Sequence, residues 1–324
     1  MFKWEKLGKL FDPKESTGAG WMKEFAQSPS VLIFEDHVRV YFCSRPAPTP
    51  EGLYLSYLSY IDLDRKNLLR ILDICEAPIL SLGKTGAFDE FGTNPISVIR
   101  DGDEVRVYYA GWTRCESVPI NGAIGIAISR DGGGAFQRIG DGPVIPYTPD
   151  EPFLMGSPRI RKWGDKWYLW YVAGKEWLKT EGKPEPVYKI RLATSDDGVN
   201  WKKHGKDLLQ DSLGGHECQA CADVLFRDGR YHMFFSYRNS HNYKTSEGGY
   251  RIGYASSIDL LNWDRRDEMA GMTVSESGWD SEMVNYPHVF MLDGEVYMLY
   301  QGNGMGRSGM GLARLISPQD WSGV

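Results

Sequence analysis

An internal repeat of about 65 residues constrains the fold of this chain more than any other feature. Five segments share one pattern, in which a polar residue and usually a proline precede a β-rich run, a charged turn and an aromatic-rich run. The equivalent positions, spaced 66, 63, 64 and 65 residues apart, are Pro29, Pro95, Pro158, Ala222 and Pro287. Self-similarity at a fixed period is the signature of a repeat architecture, so the chain is predicted to consist of five similar structural units.

Each repeat is predicted to begin with a β-hairpin. Its two apolar runs have strand length, and the turn between them carries hairpin residues such as Asp101-Gly102 and Asp293-Gly294. A second hairpin follows in at least three repeats, where a Ser-x-Asp turn precedes an outer strand that begins at Phe136, Trp201 or Trp263. Four strands per unit, repeated five times, predict an all-β chain folded as a five-bladed β-propeller.

The two ends of the chain are expected to close the ring. After the fifth hairpin only one further strand is evident, near Leu312, and the N-terminal KWEKLGKLF resembles the outer strands of other repeats. We therefore predict that Trp4 to Phe11 completes the last blade, which removes an open sheet edge. The whole chain, 1–324, is predicted to be one domain with blades at 12–80, 81–147, 148–210, 211–270 and 271–324 plus 1–11.

Charge and cysteine content exclude several classes of protein. A net charge of -6, without basic blocks, gives no footprint for nucleic acid. The N-terminus lacks the apolar core of a signal peptide, and no run approaches the ~18 apolar residues of a membrane span. We expect a cytoplasmic protein with no membrane partner, and five cysteines without an export signal argue against disulfides. The pair Cys218 and Cys221 is either a weak metal or redox motif or two reduced thiols; no metal or cofactor is predicted.

The hairpins and the S-x-D-x-x-x-W turns resemble the five-bladed propeller glycosidases and phosphorylases of glycoside hydrolase families 43, 32 and 130. The segment from Gly278 to Ala313 is also similar to uncharacterised propeller proteins often found among genes for bacterial surface polysaccharides. This resemblance implies a carbohydrate ligand bound in the central funnel. It also implies a carboxylate just before the proline in several blades, or two residues before it, and here none of those positions is acidic.

Another set of carboxylates lies five residues before the reference position. Four of the five repeats carry Glu there, and the residues at that offset are Glu24, Glu90, Phe153, Glu217 and Glu282. The sequence HECQAC from His216 resembles the Glu-Cys-Pro acid motif of family 32, which implies that Glu217 is a general acid with a raised pKa. Asp89, Glu90 or Glu282 would then be the base or nucleophile. The alternative is that these are exposed glutamates on the rim.

Cations are expected at the mouth of the same funnel, where the second strand of each hairpin ends. They are Arg45, Arg114, Lys175, Arg238 and, in the last repeat, Asn303 followed by Arg307. Such a ring suits a ligand with hydroxyls and an anion, such as a phosphorylated, nucleotide-linked or acidic sugar. Glu24, Asn94, Tyr286 and His216 are further candidate binding residues. The alternative is that cations and carboxylates neutralise each other as surface ion pairs.

Strand alternation places a further set deeper in the channel, one residue after the reference position. These residues are Ser30, Ile96, Arg159, Asp223 and His288. Asp223, with Arg159 or His288 within ion-pair reach, is either a catalytic group or a buried ionic plug that holds the blades together. Four aromatic residues are expected in loops at the mouth, where they would stack on sugar rings or pack structurally: Trp112, Trp177, Trp279 and Tyr243.

These observations predict a glycoside hydrolase-like protein that acts on an anionic or nucleotide-linked sugar or oligosaccharide in carbohydrate or surface-polysaccharide metabolism. The predicted partner is a small carbohydrate or nucleotide sugar. Two alternatives remain open at this point: a carbohydrate-binding propeller without catalysis, and a phosphorylase or transferase that uses the same funnel.

Overall fold

The computed structural model describes residues 1–16, 20–179, 184–241, 243, 245 and 247–322. It contains five separate four-stranded antiparallel sheets, so the predicted five-bladed β-propeller is confirmed. Within these residues, no helix has both the length and the apolar composition to cross a membrane.

The strands follow the repeat closely. Strand β1 (Lys3–Phe11) opens the chain, and the first blade contains β2 (Glu24–Ile33), β3 (His37–Arg45), β4 (Tyr57–Asp64) and β5 (Asn67–Ile74). The second contains β6 (Gly92–Asp101), β7 (Glu104–Arg114), β8 (Ile120–Ser129) and β9 (Gln137–Arg138). The third contains β10 (Met155–Trp163), β11 (Lys166–Leu178), β12 (Glu185–Ser195) and β13 (Lys202–Lys203). The fourth contains β14 (Glu217–Arg227), β15 (Arg230–Asn239), β16 (Arg251–Ser257) and β17 (Asp264–Arg265). The fifth contains β18 (Asn285–Leu292), β19 (Glu295–Gln301), the short helix α1 (Asn303–Gly306) and β20 (Met310–Ser317).

Strand β1 closes the ring, as predicted. It pairs antiparallel with β20, with Gly8 opposite Leu312 and Trp4 opposite Leu315, and so becomes the outer strand of blade five. The Trp4 indole N–H donates to the carbonyl oxygen of Ala270 at 2.9 Å, which ties this strand to blade four as well. Closure therefore pairs the edge that a linear array would leave open.

Each inner strand is bulged at the reference position of the repeat. The pairing register shifts there in β2, β6, β10, β14 and β18. In four blades the residue before the reference position has a left-handed backbone, with φ between 47° and 57°: Ser28, Ser157, Cys221 and Tyr286. Bulges re-aim side chains and often border functional sites. Here they form a ring of irregular backbone around the axis.

A charged plug fills the channel below this ring. Arg159 is 1% exposed and donates to the carbonyl oxygens of Pro29, Ile96 and Pro287, which belong to three other blades. Asp223 is fully buried; its carboxylate lies 2.6 Å from Arg161 Nη2 and 3.5 Å from His288 Nδ1. The expected proximity of Asp223 to His288 is therefore confirmed, and the contacts join all five blades at the axis.

Candidate functional site

A funnel of about 410 Å³ opens above the ring of bulges. This volume lies within the usual range for small-molecule sites, roughly 300–1,000 Å³. All five blades contribute to its wall. The lining residues include Arg45, Asn94, Trp112, Ser157, Trp177, Glu185, Tyr188, Arg238, Tyr243, Tyr250, Tyr286 and Met305.

Arg238, at the end of β15, is the main cation of the funnel. It is 4% exposed, and in the described part of the chain no carboxylate forms an ion pair with it. Its Nη1 donates to the carbonyl of Asn239 at 3.0 Å and its Nη2 to the hydroxyl of Tyr188 at 3.2 Å, while Nε is buried without a partner among those residues. Burial would lower the pKa of Arg238, but interactions with Tyr188 and Tyr250 outweigh it and raise that pKa well above its ordinary value. The guanidinium is therefore always charged.

Two tyrosine hydroxyls lie against this guanidinium. Tyr188 and Tyr250 are hydrogen-bonded to each other, and both are almost completely buried. Burial is the largest cause of the raised pKa of each phenol, so both remain protonated at neutral pH. Protonated phenols can donate to an anion. Arg238 and the two tyrosines therefore form a group that offers positive charge and several donors without an acid.

Arg45, on the blade-one side of the funnel, is also without a carboxylate partner among the described residues. Its Nη2 donates to Gln27 Oε1 at 3.1 Å, its guanidinium lies 4.1 Å from the ring centre of Phe25, and its Nε is buried and unpaired. Burial lowers the pKa of Arg45 to about 10, so it is still a cation at neutral pH. The predicted cations Arg45 and Arg238 thus both line the funnel, together with Asn94 and Tyr286.

Three of the four predicted aromatic residues line the funnel: Trp112, Trp177 and Tyr243. Trp279 instead stacks on Tyr300, with ring centres 5.2 Å apart, and packs against blade five. The Tyr243 ring lies 3.8 Å from the guanidinium of Arg238, and its hydroxyl donates to Glu185 Oε1 at 3.2 Å. Glu185 is the one carboxylate among the described residues that line the funnel.

Glu217, the predicted general acid, is held elsewhere. Its carboxylate is 0% exposed and accepts from Arg265 Nη1 at 2.5 Å, from Gln219 Nε2 at 2.9 Å and from the backbone N–H of Ser212 at 2.8 Å. Burial acts to raise the pKa of Glu217, but the bonds from Arg265 and Gln219 outweigh it, so that pKa lies below its ordinary value. The expected raised pKa is wrong, because a cation from the outer strand of the same blade neutralises this carboxylate.

The same arrangement recurs in three other blades and accounts for Asp89. In each, a buried carboxylate accepts from a tyrosine of the second strand and pairs with a cation of the outermost strand. We call these groups latches: Asp89 with Tyr109 and Arg138, Glu151 with Tyr171 and Lys203, and Asp280 with Tyr300 and Lys6. Glu217 with Arg265 is the fourth latch, with Phe235 at the tyrosine position. Their carboxylates hold strands together and do not line the funnel.

The other predicted carboxylates also lie outside the funnel wall. Glu24 is bound by Arg307 at 3.0 Å and by the Tyr54 hydroxyl at 2.9 Å; burial opposes these bonds, but they lower its pKa. Glu90 accepts from the backbone N–H of Gly86 in a local turn, and Glu282 is exposed. Offset from the proline does not bring these glutamates together, because the loops before the inner strands differ.

Three predicted binding residues and the plug are likewise separate from the funnel. Arg114 donates to the carbonyl of Tyr54 at 2.8 Å, Lys175 pairs with Asp207 at 2.9 Å, and His216 contacts His241 at 3.3 Å between ring nitrogens.

Asp223 and His288 belong to the axial plug rather than to the wall. Burial lowers the pKa of His288, which is accordingly neutral. Burial would raise the pKa of Asp223, but Arg161 and His288 lower it. These directions favour the structural interpretation of Asp223, Arg159 and His288. Among the described residues, no group of three or more His, Cys, Asp or Glu has the geometry to hold a metal ion.

The sequence reasoning missed Glu185, Tyr188, Tyr250 and Met305. A signal for two of them was present: Tyr188 and Tyr250 each lie seven residues before the serine of their Ser-x-Asp turn, at Ser195 and Ser257. Aligning the third strands of the repeats would have identified this shared position. Glu185 lies ten residues before Ser195, as Glu247 does before Ser257, but Glu247 does not line the funnel.

Fold and funnel together define a class: a five-bladed β-propeller of the type found in glycoside hydrolases and phosphorylases. Solved structures with this fold include one described as a glycoside hydrolase (TM-score 0.74, 17% identity, 100% of this chain and 94% of that chain). Another concerns the GH130 family of mannoside phosphorylases and glycoside hydrolases that target β-1,2-mannosidic linkages in Candida mannan (TM-score 0.70, 16% identity, 97% and 94%). A third is a thermostable family-43 glycoside hydrolase (TM-score 0.64, 15% identity, 94% and 96%).

The chain belongs to the same family as the uncharacterized protein Rv1502 of Mycobacterium tuberculosis, with 36% identity over 314 residues, 96% of this chain and 99% of that protein. A β-1,2-mannobiose phosphorylase of Thermoanaerobacter sp. is 26% identical over 168 residues, 46% of this chain and 53% of that enzyme. No protein-family model matches the chain.

Proposed function

We propose that the funnel recognises a carbohydrate that carries an anionic group, such as a sugar phosphate, a nucleotide-linked sugar or an acidic sugar. The observation that carries this proposal is the buried guanidinium of Arg238, which no carboxylate of the described chain neutralises. The glycosidase-type fold alone does not specify a class of substrate, so this class is inferred from the side chains of the funnel.

Electrostatics supports an anion at this position. Burying a charged group without a partner is costly, and proteins normally supply an acid, as the four latches do. Arg238 lacks one, yet it lies beside the protonated phenols of Tyr188 and Tyr250. A phosphate or carboxylate placed here would accept from the guanidinium and from a hydroxyl, and charge-assisted hydrogen bonds of this kind are the strong ones.

The rest of the wall suits a sugar ring. Trp112 and Trp177 provide flat apolar surfaces, and Asn94 and Ser157 provide donors and acceptors at the level of the bulges. Sugars have one apolar face and a hydroxyl rim, so aromatic surfaces next to a few fixed polar groups match them. The proposed complex therefore has its anion on Arg238 and its ring against the tryptophans.

Isothermal titration calorimetry with glucose 1-phosphate, UDP-glucose, glucuronic acid and neutral glucose tests the proposal. We expect binding of at least one anionic probe. Arg238→Ala should weaken that binding by 10-fold or more, since a hydrogen bond to a charged group is worth about 1.5–3 kcal/mol. Arg130→Ala is the matched control, because Arg130 is exposed, pairs with Glu104 and does not line the funnel. Equal affinity of Arg238→Ala and wild type, or binding of neutral glucose alone, would contradict the proposal.

A second candidate is phosphorolysis, and the single carboxylate of the funnel favours it. Hydrolysis by the common mechanism needs two carboxylates that flank the scissile bond. Glu185 is alone among the described residues of the wall, whereas Arg45 and Arg238 could hold a phosphate nucleophile. Glu185 would then donate the proton to the leaving oxygen while phosphate attacks the anomeric carbon. The partial similarity to the β-1,2-mannobiose phosphorylase is consistent with this reaction.

Glu185→Gln separates catalysis from binding. If the chain cleaves a disaccharide in the presence of inorganic phosphate, we expect the variant to lose at least 10²-fold in kcat, the usual contribution of a general acid. Affinity for the anionic probe should change less than threefold. The measurement is release of sugar 1-phosphate, with Glu282→Gln as the exposed control. Full turnover in Glu185→Gln would remove Glu185 from the reaction.

A further inference from the structure

Met305 lines the funnel in a backbone conformation that a methionine seldom adopts. Its φ and ψ are 56° and 50°, in the left-handed region, and the flanking Gly304 and Gly306 also have positive φ values of 63° and 83°. Side chains with a Cβ are disfavoured there, and glycine adopts this region freely. Three consecutive residues of this turn therefore have left-handed backbones. Glycine would adopt this conformation at position 305 more easily than methionine does.

Contacts from blades one and five hold the turn in place. The carbonyl of Met305 accepts from Gln27 Nε2 at 2.7 Å, and its backbone N–H lies 3.3 Å from Met283 Sδ. Asn303 accepts from the N–H of Glu282 at 2.8 Å and donates to the carbonyl of Gly278 at 3.0 Å. The surroundings thus determine the conformation at Met305 more than its own preference does.

Close packing fixes the turn from a second direction. A Cβ on Gly306 would lie 2.8 Å from the carbonyl oxygen of Ala26 in blade one, so only glycine fits this approach. Arg307, which follows, binds Glu24 and the Tyr54 hydroxyl, also in blade one. The turn therefore bridges the last and first blades at the funnel wall, and Met305 stands at its centre.

We infer that Met305 is a specificity-determining residue, whose side chain narrows the funnel between blades five and one and excludes bulkier anionic sugars. Strained backbone persists where the surroundings impose it, and such positions cluster at ligand sites. Met305 does not contribute charge or a proton, so its effect is steric. The class of ligand in this inference rests on the proposed function. The position of Met305 in the funnel wall does not depend on that function.

The first test compares Met305→Gly and Met305→Ala, because alanine keeps the strain and glycine relieves it. We expect Met305→Gly to have a Tm about 2 °C or more above that of Met305→Ala, which gives the cost of the backbone conformation. Asp293 supplies a matched pair of controls, since its φ is 50° and it lies in an exposed hairpin turn of the same blade. Asp293→Gly and Asp293→Ala should differ in the same direction without any effect on the funnel.

The second test measures access to the funnel without a sugar. Acrylamide quenching of tryptophan fluorescence is measured for each protein and for the same protein with Trp112 and Trp177 both replaced by Phe. The difference between the two measurements gives the quenching of Trp112 and Trp177. Both Met305 variants should increase quenching at least twofold, and both Asp293 variants should leave it unchanged. Equal quenching in the Met305 and Asp293 variants would overturn the inference.

The third test uses glucose 6-phosphate and the bulkier trehalose 6-phosphate as probes. Wild type should prefer the smaller probe, and Met305→Gly should reduce that preference at least 10-fold. An unchanged preference in Met305→Gly would also overturn the inference. If wild type binds no anionic probe at all, the proposed function fails, and the quenching comparison alone decides whether Met305 closes the wall.

Discussion

Arg238 and Glu217 are both buried charged residues at the ends of paired strands in blade four, and their partners distinguish them. Cys218, next to Glu217, pairs with Arg238 across β14 and β15, so the two charges lie close in the sheet. Glu217 is neutralised by Arg265, whereas Arg238 faces the funnel without an acid. A satisfied buried charge contributes to structure, and an unsatisfied one next to a cavity indicates a ligand.

A substitution at Glu217 tests whether its ion pair with Arg265 stabilises the fold. We expect Glu217→Gln to lower the free energy of unfolding by about 3 kcal/mol at pH 7, because a buried ion pair is broken and Arg265 retains one carboxylate partner among the described residues, Asp267. Binding of an anionic sugar should be unchanged. Urea denaturation measures the loss, and Glu282→Gln, an exposed glutamate, should change stability by less than 0.5 kcal/mol, as surface substitutions usually do.

The pH dependence of this loss has a defined sign. The pKa of Glu217 is lower in the folded protein than its ordinary value of 4.5, so its contribution is fully present above that value. It is lost as the pH falls through the lower folded pKa, because the unfolded chain takes up a proton first. The difference between wild type and Glu217→Gln should therefore be constant from pH 8 to about pH 5.5 and shrink below about pH 4.5. A difference that grows on acidification would contradict this account.

At the level of strands, the hairpins could be predicted from the sequence and the latches could not. The inner and second strands of blade four are 11 and 10 residues long and their alternation is visible, but β9, β13 and β17 have two residues each. Two residues give no periodicity, so nothing in the sequence connects Arg138 or Arg265 to a carboxylate about 50 residues away. For this reason the sequence pattern predicts catalytic roles for two of the four latch carboxylates, Glu217 and Asp89, which the structure places in ion pairs.

The cations of the funnel could be predicted because they lie on long strands, whose repeat is visible in the sequence. Arg45 and Arg238 lie at equivalent positions where long second strands end, so the repeat alone identifies them. Arg114 and Lys175 occupy similar positions, but neighbouring loops and strands engage them through Tyr54 and Asp207. Strand register specifies which residues reach the mouth, whereas loop contacts decide which of them face the funnel.

For the whole molecule, closure depends on the first eleven residues of the chain. We propose that residues 1–324 form one domain with the predicted blade limits, since β1 links the N-terminus to β20 and the side chain of Phe2 packs into blade four. A ring closed in this way has no free sheet edge between its first and last blades. The funnel is enclosed only when the ring is complete, because its wall draws on blades one and five as well as the other three.

Phe2→Ala tests this closure. Phe2 is 1% exposed, and its ring lies about 5 Å from those of Phe234, Tyr254 and Trp321, so truncation should leave a cavity where the two ends of the chain meet blade four. We expect a loss of about 3–5 kcal/mol in the free energy of unfolding, the usual cost of truncating a buried phenylalanine. Phe226→Ala is the matched control: Phe226 belongs to the same blade but is 54% exposed, and its truncation should cost less than 1 kcal/mol. Urea denaturation monitored by circular dichroism measures both. If the two variants lose the same stability, the packing of the N-terminus against blade four does not hold the ring closed.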